Sequence, residues 1–344
     1  MKKASSPWTK GLSLGALLAV VCVLPFIVKP FQLEVLIFLF INIVLVVSFR
    51  LIAITGEFSL AHVVIMGTGA YASALLGKWF GLDPWLTMLF GSLTAAAIAY
   101  ILSFPLFRMK GFYFLIGSFA AGEAIRLSWG RFRGVFGGSK GISAIPPLEI
   151  GNINLGMPVP FYFFALAWMV ICLVIMYRLE KSRLGLTLHA IHWQDLLAES
   201  VGVNARHYRV LAFVIASFFA GFAGTMLAHY LSVISPHEFG LGIMLSVLVW
   251  AIVGGVGTFA GPIIGVVLLS FVDESIRAFD EYRPLVYGIV LILTILFLPE
   301  GLQGLPARVT LFVRRFWRGG RGETVEARPT GAGVASDRPP PSAS

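Results

Sequence analysis

Long apolar runs constrain this chain more than any other feature. They cover residues 11–28, 33–54, 85–107, 161–177, 210–231 and 284–298. A helix needs roughly 20 such residues to cross ~30 Å of hydrocarbon. Hydrophobic residues make up 58% of the chain and charged residues only 12%, whereas a soluble domain carries about 25% charged residues. A soluble fold of this length could not keep so much apolar surface from water. The expected fold is therefore all-α and polytopic, with about ten transmembrane or partly broken helices.

The ten expected spans are 11–28, 34–54, 60–77, 85–107, 112–128, 161–178, 210–231, 241–254, 261–277 and 284–299. The first resembles a signal sequence, with Lys2, Lys3 and Lys10 ahead of it, but it is longer than a typical signal core and lacks a small-residue cleavage site. It reads as a retained helix after a cytoplasmic segment, 1–10. With both ends cytoplasmic, 17 Lys and Arg fall in cytoplasmic segments and seven in external ones, the bias that positive-inside topology requires. The net charge of +9 thus reflects topology rather than a nucleic-acid partner. The transmembrane region, 11–305, carries two larger extramembrane segments, 129–160 outside and 178–209 inside. The tail, 306–344, is first basic and then rich in Gly, Pro and Ser, a composition expected to stay disordered. Cys22 and Cys172 match no metal or redox spacing.

Two glycine-rich stretches stand in corresponding halves, as an internal repeat would place them. One holds Gly56, Ser59, His62, Gly67, Gly69 and Tyr71; the other holds Gly254, Gly255, Gly257, Gly261 and Pro262. Interrupted segments in two halves point to a transport pathway, where irregular backbone survives because it lines a cavity or lies buried in protein. The same glycines would equally serve close helix packing.

Enzymatic chemistry is missing from the sequence. Gly77–Lys78 lacks the leading glycine of a phosphate-binding loop and is followed by Trp79, and no metal-site or nucleophile motif is present. Ionisable residues within spans are functional candidates. His62 is one. Glu123 and Arg126, three apart, can pair on one helix face, either as a proton or solute site or as a structural ion pair. In 178–209, Leu184, Leu188 and Ile191 share one helical face, while Trp193, Leu197 and Val201 lie nearly opposite. Two short helices with a bend near His192 are expected, the second stopped by Gly202. Such a pair either lies on membrane lipid or docks a partner as a helix in a groove.

The order of motifs resembles the LivM-type permease family of branched-chain amino-acid ABC importers. The stretch 56–71 is similar to its G-x-x-S-L-G-H…G-x-G-A-Y, and Lys110 to Phe114 with Glu123 to Arg126 to its R-G-x-Y-F…E-A-x-R. Gly137 to Ile142 resembles its G-G-S-x-G-I, and 182–202, with Ala198, Glu199 and Gly202, its coupling loop. Gly254 to Pro262 is similar to its G-G-x-G-x-x-x-G-P, and 298–302 to its closing P-x-G-L. The resemblance covers about 35–305 and implies a bacterial inner-membrane importer subunit without an ATPase site or cofactor of its own. A periplasmic binding protein would deliver a branched-chain amino acid, or urea, an amide or a small acid. A LivH-like second permease would complete the path. Two cytoplasmic ATPases would bind ATP and act through 178–209. The competing reading is a stand-alone proton-coupled carrier using Glu123 or His62, which would transport in vesicles without ATP or binding protein. A membrane-embedded assembly protein would show no solute dependence at all.

Overall fold

The computed structural model describes residues 21–151, 153–276, 283–297, 301 and 302. All belong to the unit Met1–Gly304; Leu305–Ser344 is a separate unit outside the described residues.

The long helices are α1 (Pro30–Ala53), α2 (His62–Phe80), α3 (Pro84–Leu106), α4 (Phe112–Arg131), α5 (Pro158–Lys181) and, after two short helices, α8 (Ala205–Leu231). The short pair is α6 (Arg183–Trp193) and α7 (Asp195–Ser200). Three further helices follow: α9 (Leu241–Gly254), α10 (Ala260–Ile276) and α11 (Arg283–Phe297). Six segments are long and apolar enough to cross a membrane: α1, α2, α3, α5, α8 and Pro236–Gly254, which contains α9. The chain is thus an all-α, multi-pass membrane protein. Nine of the ten expected spans coincide with helices; most of the first, 11–28, lies outside the described residues.

Local chemistry sets the helix starts. Pro30 and Pro84 occupy first-turn positions, where a missing N–H costs nothing. Asp83 accepts the Trp85 N–H at 2.8 Å, and Asn204 accepts the His207 N–H at 3.1 Å, satisfying donors that a helix N-terminus leaves open.

Packing explains why α1 is the most apolar helix. From Leu39 to Ala53 every residue but Asn42 is buried, as befits a helix that is apolar all round. Helix α8 crosses α2 and α3 on backbone contacts. A methyl on Gly69 would lie 2.5 Å from the Gly221 carbonyl, and one on Gly224 would lie 1.9 Å from that of Met66. Small residues allow this approach where lipid supplies little apolar driving force.

The segment expected as a plain external loop, 129–160, is partly ordered by pairing. Strand β1 (Ile142–Ser143) pairs antiparallel with β4 (Val233–Ile234), and β2 (Glu149–Ile150) pairs with β3 (Ile153–Asn154). Gly141 turns into β1 at φ +72°, and a Cβ there would strike the Ile234 carbonyl at 1.8 Å. That position admits no side chain.

Candidate functional site

The end of the bundle where α1 and α5 finish carries a dense set of charged contacts. Arg50, in the last turn of α1, is 2% exposed. Its Nη2 donates to Glu180 Oε1 at 3.0 Å, its Nη1 donates to Oε2, and its Nε donates to the Val256 carbonyl at 2.9 Å. The guanidinium carbon lies 5.9 Å from the centre of the Phe259 ring. Glu180 sits one residue before the end of α5, with His189 Nε2 at 3.8 Å. One buried cation thus joins α1, the α5–α6 junction and the connection between α9 and α10. Burying two charges is favourable only when each is paired and hydrogen-bonded, and here both are.

Helices α6 and α7 follow directly. Their bend falls at Gln194 (φ −155°, ψ 97°), two residues beyond the expected position near His192, and Gly202 ends the pair at φ +88°. Leu188 and Ile191 do not face outward. Leu188 is buried among Leu51, Ile54, Ala212 and Phe213, with Leu184 at its edge, and Ile191 is buried against Ala198 and Ala205. The Leu184–Leu188–Ile191 stripe is therefore the chain's own packing face, and it is open neither to lipid nor to a partner. The opposite stripe is open: Trp193 is 81% exposed and Leu197 63%, with Leu186, Leu196 and Val201 also exposed. Glu199 is exposed, and its carbonyl accepts the Gly202 N–H at 3.0 Å.

Asp195 pins this pair to the rest of the chain. It accepts from Arg209 Nη2 at 2.6 Å and from Lys110 Nζ at 3.0 Å. Burial pushes its carboxyl up, but the hydrogen bonds and charges of Arg209 and Lys110 outweigh that and hold it below the usual carboxylate range. Nearby, Glu57 accepts the Gly111 N–H at 3.0 Å. Burial raises its carboxyl above the usual range against the pull of that hydrogen bond and of Arg209. A Cβ on Gly56 would touch His192 Nδ1 at 3.0 Å, so the α1–α2 connection rests on α6.

The two glycine-rich stretches reach this end through Gly56, against His192, and through Val256, whose carbonyl accepts the Arg50 Nε–H. The first breaks the helix only over Ile54–Ala61. Helix α2 then runs unbroken through Gly67, Gly69 and Tyr71, so these three are not helix-break positions. Gly67 packs against Phe239 and Trp129, Gly69 packs against Gly221, and Tyr71 stacks on Trp129 with ring centres 4.5 Å apart. Ser59 is buried and its hydroxyl meets no partner among the described residues. His62 Nε2 meets Ser48 Oγ at 2.9 Å. That hydroxyl also reaches the Leu45 carbonyl at 2.7 Å, and His62 Nδ1 meets no partner among the described residues. In the second stretch, α9 ends at Gly254 and Gly255 turns at φ +96°. Gly257 is exposed in the turn, Pro262 is buried, and Gly254 and Gly261 meet backbone to backbone.

Glu123 and Arg126 form the expected pair on α4, with Arg126 Nε donating to Glu123 Oε2 at 2.8 Å. Both are partly exposed. Three features escaped sequence reasoning. Arg50 and Glu180 pair across 130 positions, and Asp195 gathers two cations. His229 Nδ1 faces the Pro146 carbonyl at 2.8 Å while its Nε2 meets Ser73 at 2.9 Å and Thr87 at 3.2 Å. A charge inside an apolar run was the only signal for the first.

A family model described as "Branched-chain amino acid transport system / permease component" matches residues 31–296. The LivM high-affinity branched-chain amino acid permease protein of Escherichia coli (strain K12) is 28% identical over 315 residues, covering 85% of this chain and 74% of that protein. The LivH permease protein of the same strain is 27% identical over 277 residues, covering 74% of this chain and 87% of its own. The BraD permease protein of Pseudomonas aeruginosa is 30% identical over 176 residues, covering 47% of this chain and 56% of its own. No solved structure matches. With a multi-pass helical fold and a family match across most of the bundle, the chain belongs to the permease components of branched-chain amino acid transport systems.

Proposed function

We propose that the chain is one of two membrane subunits of a binding-protein-dependent importer in a bacterial inner membrane, carrying branched-chain amino acids or a close chemical relative. Two cytoplasmic ATPases supply the nucleotide chemistry; this chain holds no nucleotide site of its own. The family assignment supports this reading and not the proton-coupled carrier.

The observation that carries the coupling role is the outward stripe of α6 and α7, with Trp193 81% exposed on a helix whose other face is fully packed. A free apolar aromatic beside charge-clamped helices fits a groove on a partner. The Arg50–Glu180 pair then passes movement of α6 to α1 and to the α9–α10 connection. Both termini and α6–α7 lie in the cytoplasm, and β1–β4 faces the binding protein.

The test is co-expression with the second permease, the ATPases and the binding protein, followed by purification. The ATPases should co-purify, and loaded binding protein should stimulate hydrolysis. Uptake into vesicles lacking ATP and binding protein would overturn the importer reading.

A further inference from the structure

Helix α4 lies on the bundle along one face and leaves the other bare. Its buried residues are Phe114, Ser118, Gly122 and Trp129, and a methyl on Gly122 would lie 3.1 Å from the Ala61 Cα. Tyr113, Ile116, Ala120, Ala124, Leu127 and Arg131 are all exposed. They recur every three or four residues, so they form a single stripe, and that stripe points away from the buried one. The helix runs from the Lys110–Asp195 contact at the α6–α7 end to the side of β1. Its 20 residues span about 30 Å, so the bare stripe crosses the whole hydrocarbon depth.

Lipid does not suit this stripe. Helix α3 holds no Asp, Glu, Lys or Arg, and α5 holds none before its last turn, so their bare faces can meet acyl chains. Helix α4 is not among the helices apolar enough to cross a membrane alone. Near its middle Glu123 and Arg126 flank the stripe, and both are partly exposed. Ionisable groups at that depth face protein or water rather than acyl chains. Their pairing does not use up the guanidinium: Glu123 takes Arg126 Nε and Nη2, and Nη1 makes neither bond. Depth then limits what covers the stripe. In the importer reading the binding protein and the ATPases act on either side of the bilayer, and only the second permease subunit reaches this level. Ala120 and Ala124 keep the centre of the stripe shallow, which permits the close helix approach of membrane interfaces.

We infer that the bare face of α4 is the seat of the second permease subunit. A helix of that subunit packs over Ala120 and Ala124, Tyr113 and Leu127 flank it, and an acceptor on it meets Arg126. The inference rests on the importer reading above.

The test uses the co-expressed complex. The photocrosslinker p-benzoylphenylalanine replaces Ala124 or, as a control, the exposed Ala97 of α3. Position 124 should crosslink to the second permease, identified by mass spectrometry of the adduct, and position 97 should not. A bulky side chain at the centre of the stripe should part the subunits. Ala124→Trp should retain about tenfold less second permease on size exclusion at dilution, with the amount of membrane-inserted chain unchanged. Glu123→Leu with Arg126→Leu makes the face as apolar as that of α3. It too should lose the second permease, whereas a lipid-facing stripe would lose nothing by the exchange. Crosslinks from position 124 to lipid alone or to another copy of this chain, equal crosslinking at both positions, or full retention by either variant would overturn the inference. ATP hydrolysis stimulated by loaded binding protein, measured on the unsubstituted complex, separates the two claims. Its presence beside lipid-only crosslinks removes the interface alone; its absence beside crosslinks to the second permease removes the importer reading alone.

Discussion

Arg50 and Glu180, 130 positions apart, meet in a two-pronged ion pair with 2% and 9% of their side chains exposed. The pair closes the gap between the end of α1 and the point where α5 hands over to α6. Removing one partner leaves a buried charge uncompensated, at a cost of about 3–5 kcal/mol. Glu180→Ala should lower the thermal stability of the detergent-solubilised chain accordingly. The exchange Arg50→Glu with Glu180→Arg should recover part of the loss. An unchanged melting temperature in Glu180→Ala would show that the contact does not stabilise the fold.

Ile191 and Trp193 are two residues apart and should fail in different ways. Ile191→Asp buries a carboxylate beside Ala198 and Ala205, so the amount of folded permease should fall. Trp193→Ala should leave folding intact and weaken ATPase retention by about 2 kcal/mol or more. Size-exclusion profiles report the first effect and co-purified ATPase the second. A Trp193→Ala complex with full ATPase content and full stimulated hydrolysis would remove α6–α7 as the coupling element.

Orientation is open to thiol labelling of intact cells. Ser200 and Glu149 are both exposed, at opposite ends of the bundle. With Cys22→Ser as background, Glu149→Cys should react with a membrane-impermeant maleimide and Ser200→Cys should not. The reverse pattern would invert the topology.

Acid should loosen α7 through Asp195. Its folded carboxyl lies below the ordinary carboxylate value, so its contribution is complete above that value and fades as pH falls through the lowered one. Hydrogen exchange over 195–201 should stay slow until that point and then quicken. In Asp195→Asn it should be fast throughout. Glu57 has the opposite sign: its raised value means its contribution is greatest in acid and is lost as pH rises through it. Glu57→Gln should therefore melt higher than wild type at neutral pH, while keeping an acceptor for the Gly111 N–H.

The helices were largely legible because each needs a continuous apolar run, and a run survives in one dimension. The Glu123–Arg126 pair was legible for a related reason, since both partners sit on one helix within a single turn. Arg50 and Glu180 could not be matched, because nothing local to either residue names the other. Helices α6 and α7 show a subtler limit. Two apolar stripes were visible, but periodicity marks a face as apolar without saying whether it meets the same chain or another one. Packing decided that Leu188 and Ile191 turn inward while Trp193 and Leu197 do not. Gly67 and Gly69 posed the same ambiguity. A glycine needed for contact and a glycine needed for a break look alike until Phe239 and Gly221 are seen against them.

The pairing of β1 with β4 ties the segment after α4 to the segment after α8. A tether at one end of a helix turns sliding into swinging. With 20 residues, α4 is a lever of about 30 Å, and a tilt of about 10° about the tether would carry its far end about 5 Å. That far end is the turn holding Lys110 and Gly111, which grip Asp195 and Glu57. The two-residue strand pair stands where such a tilt would pivot, and the charged contacts at the other end are where its travel would be greatest.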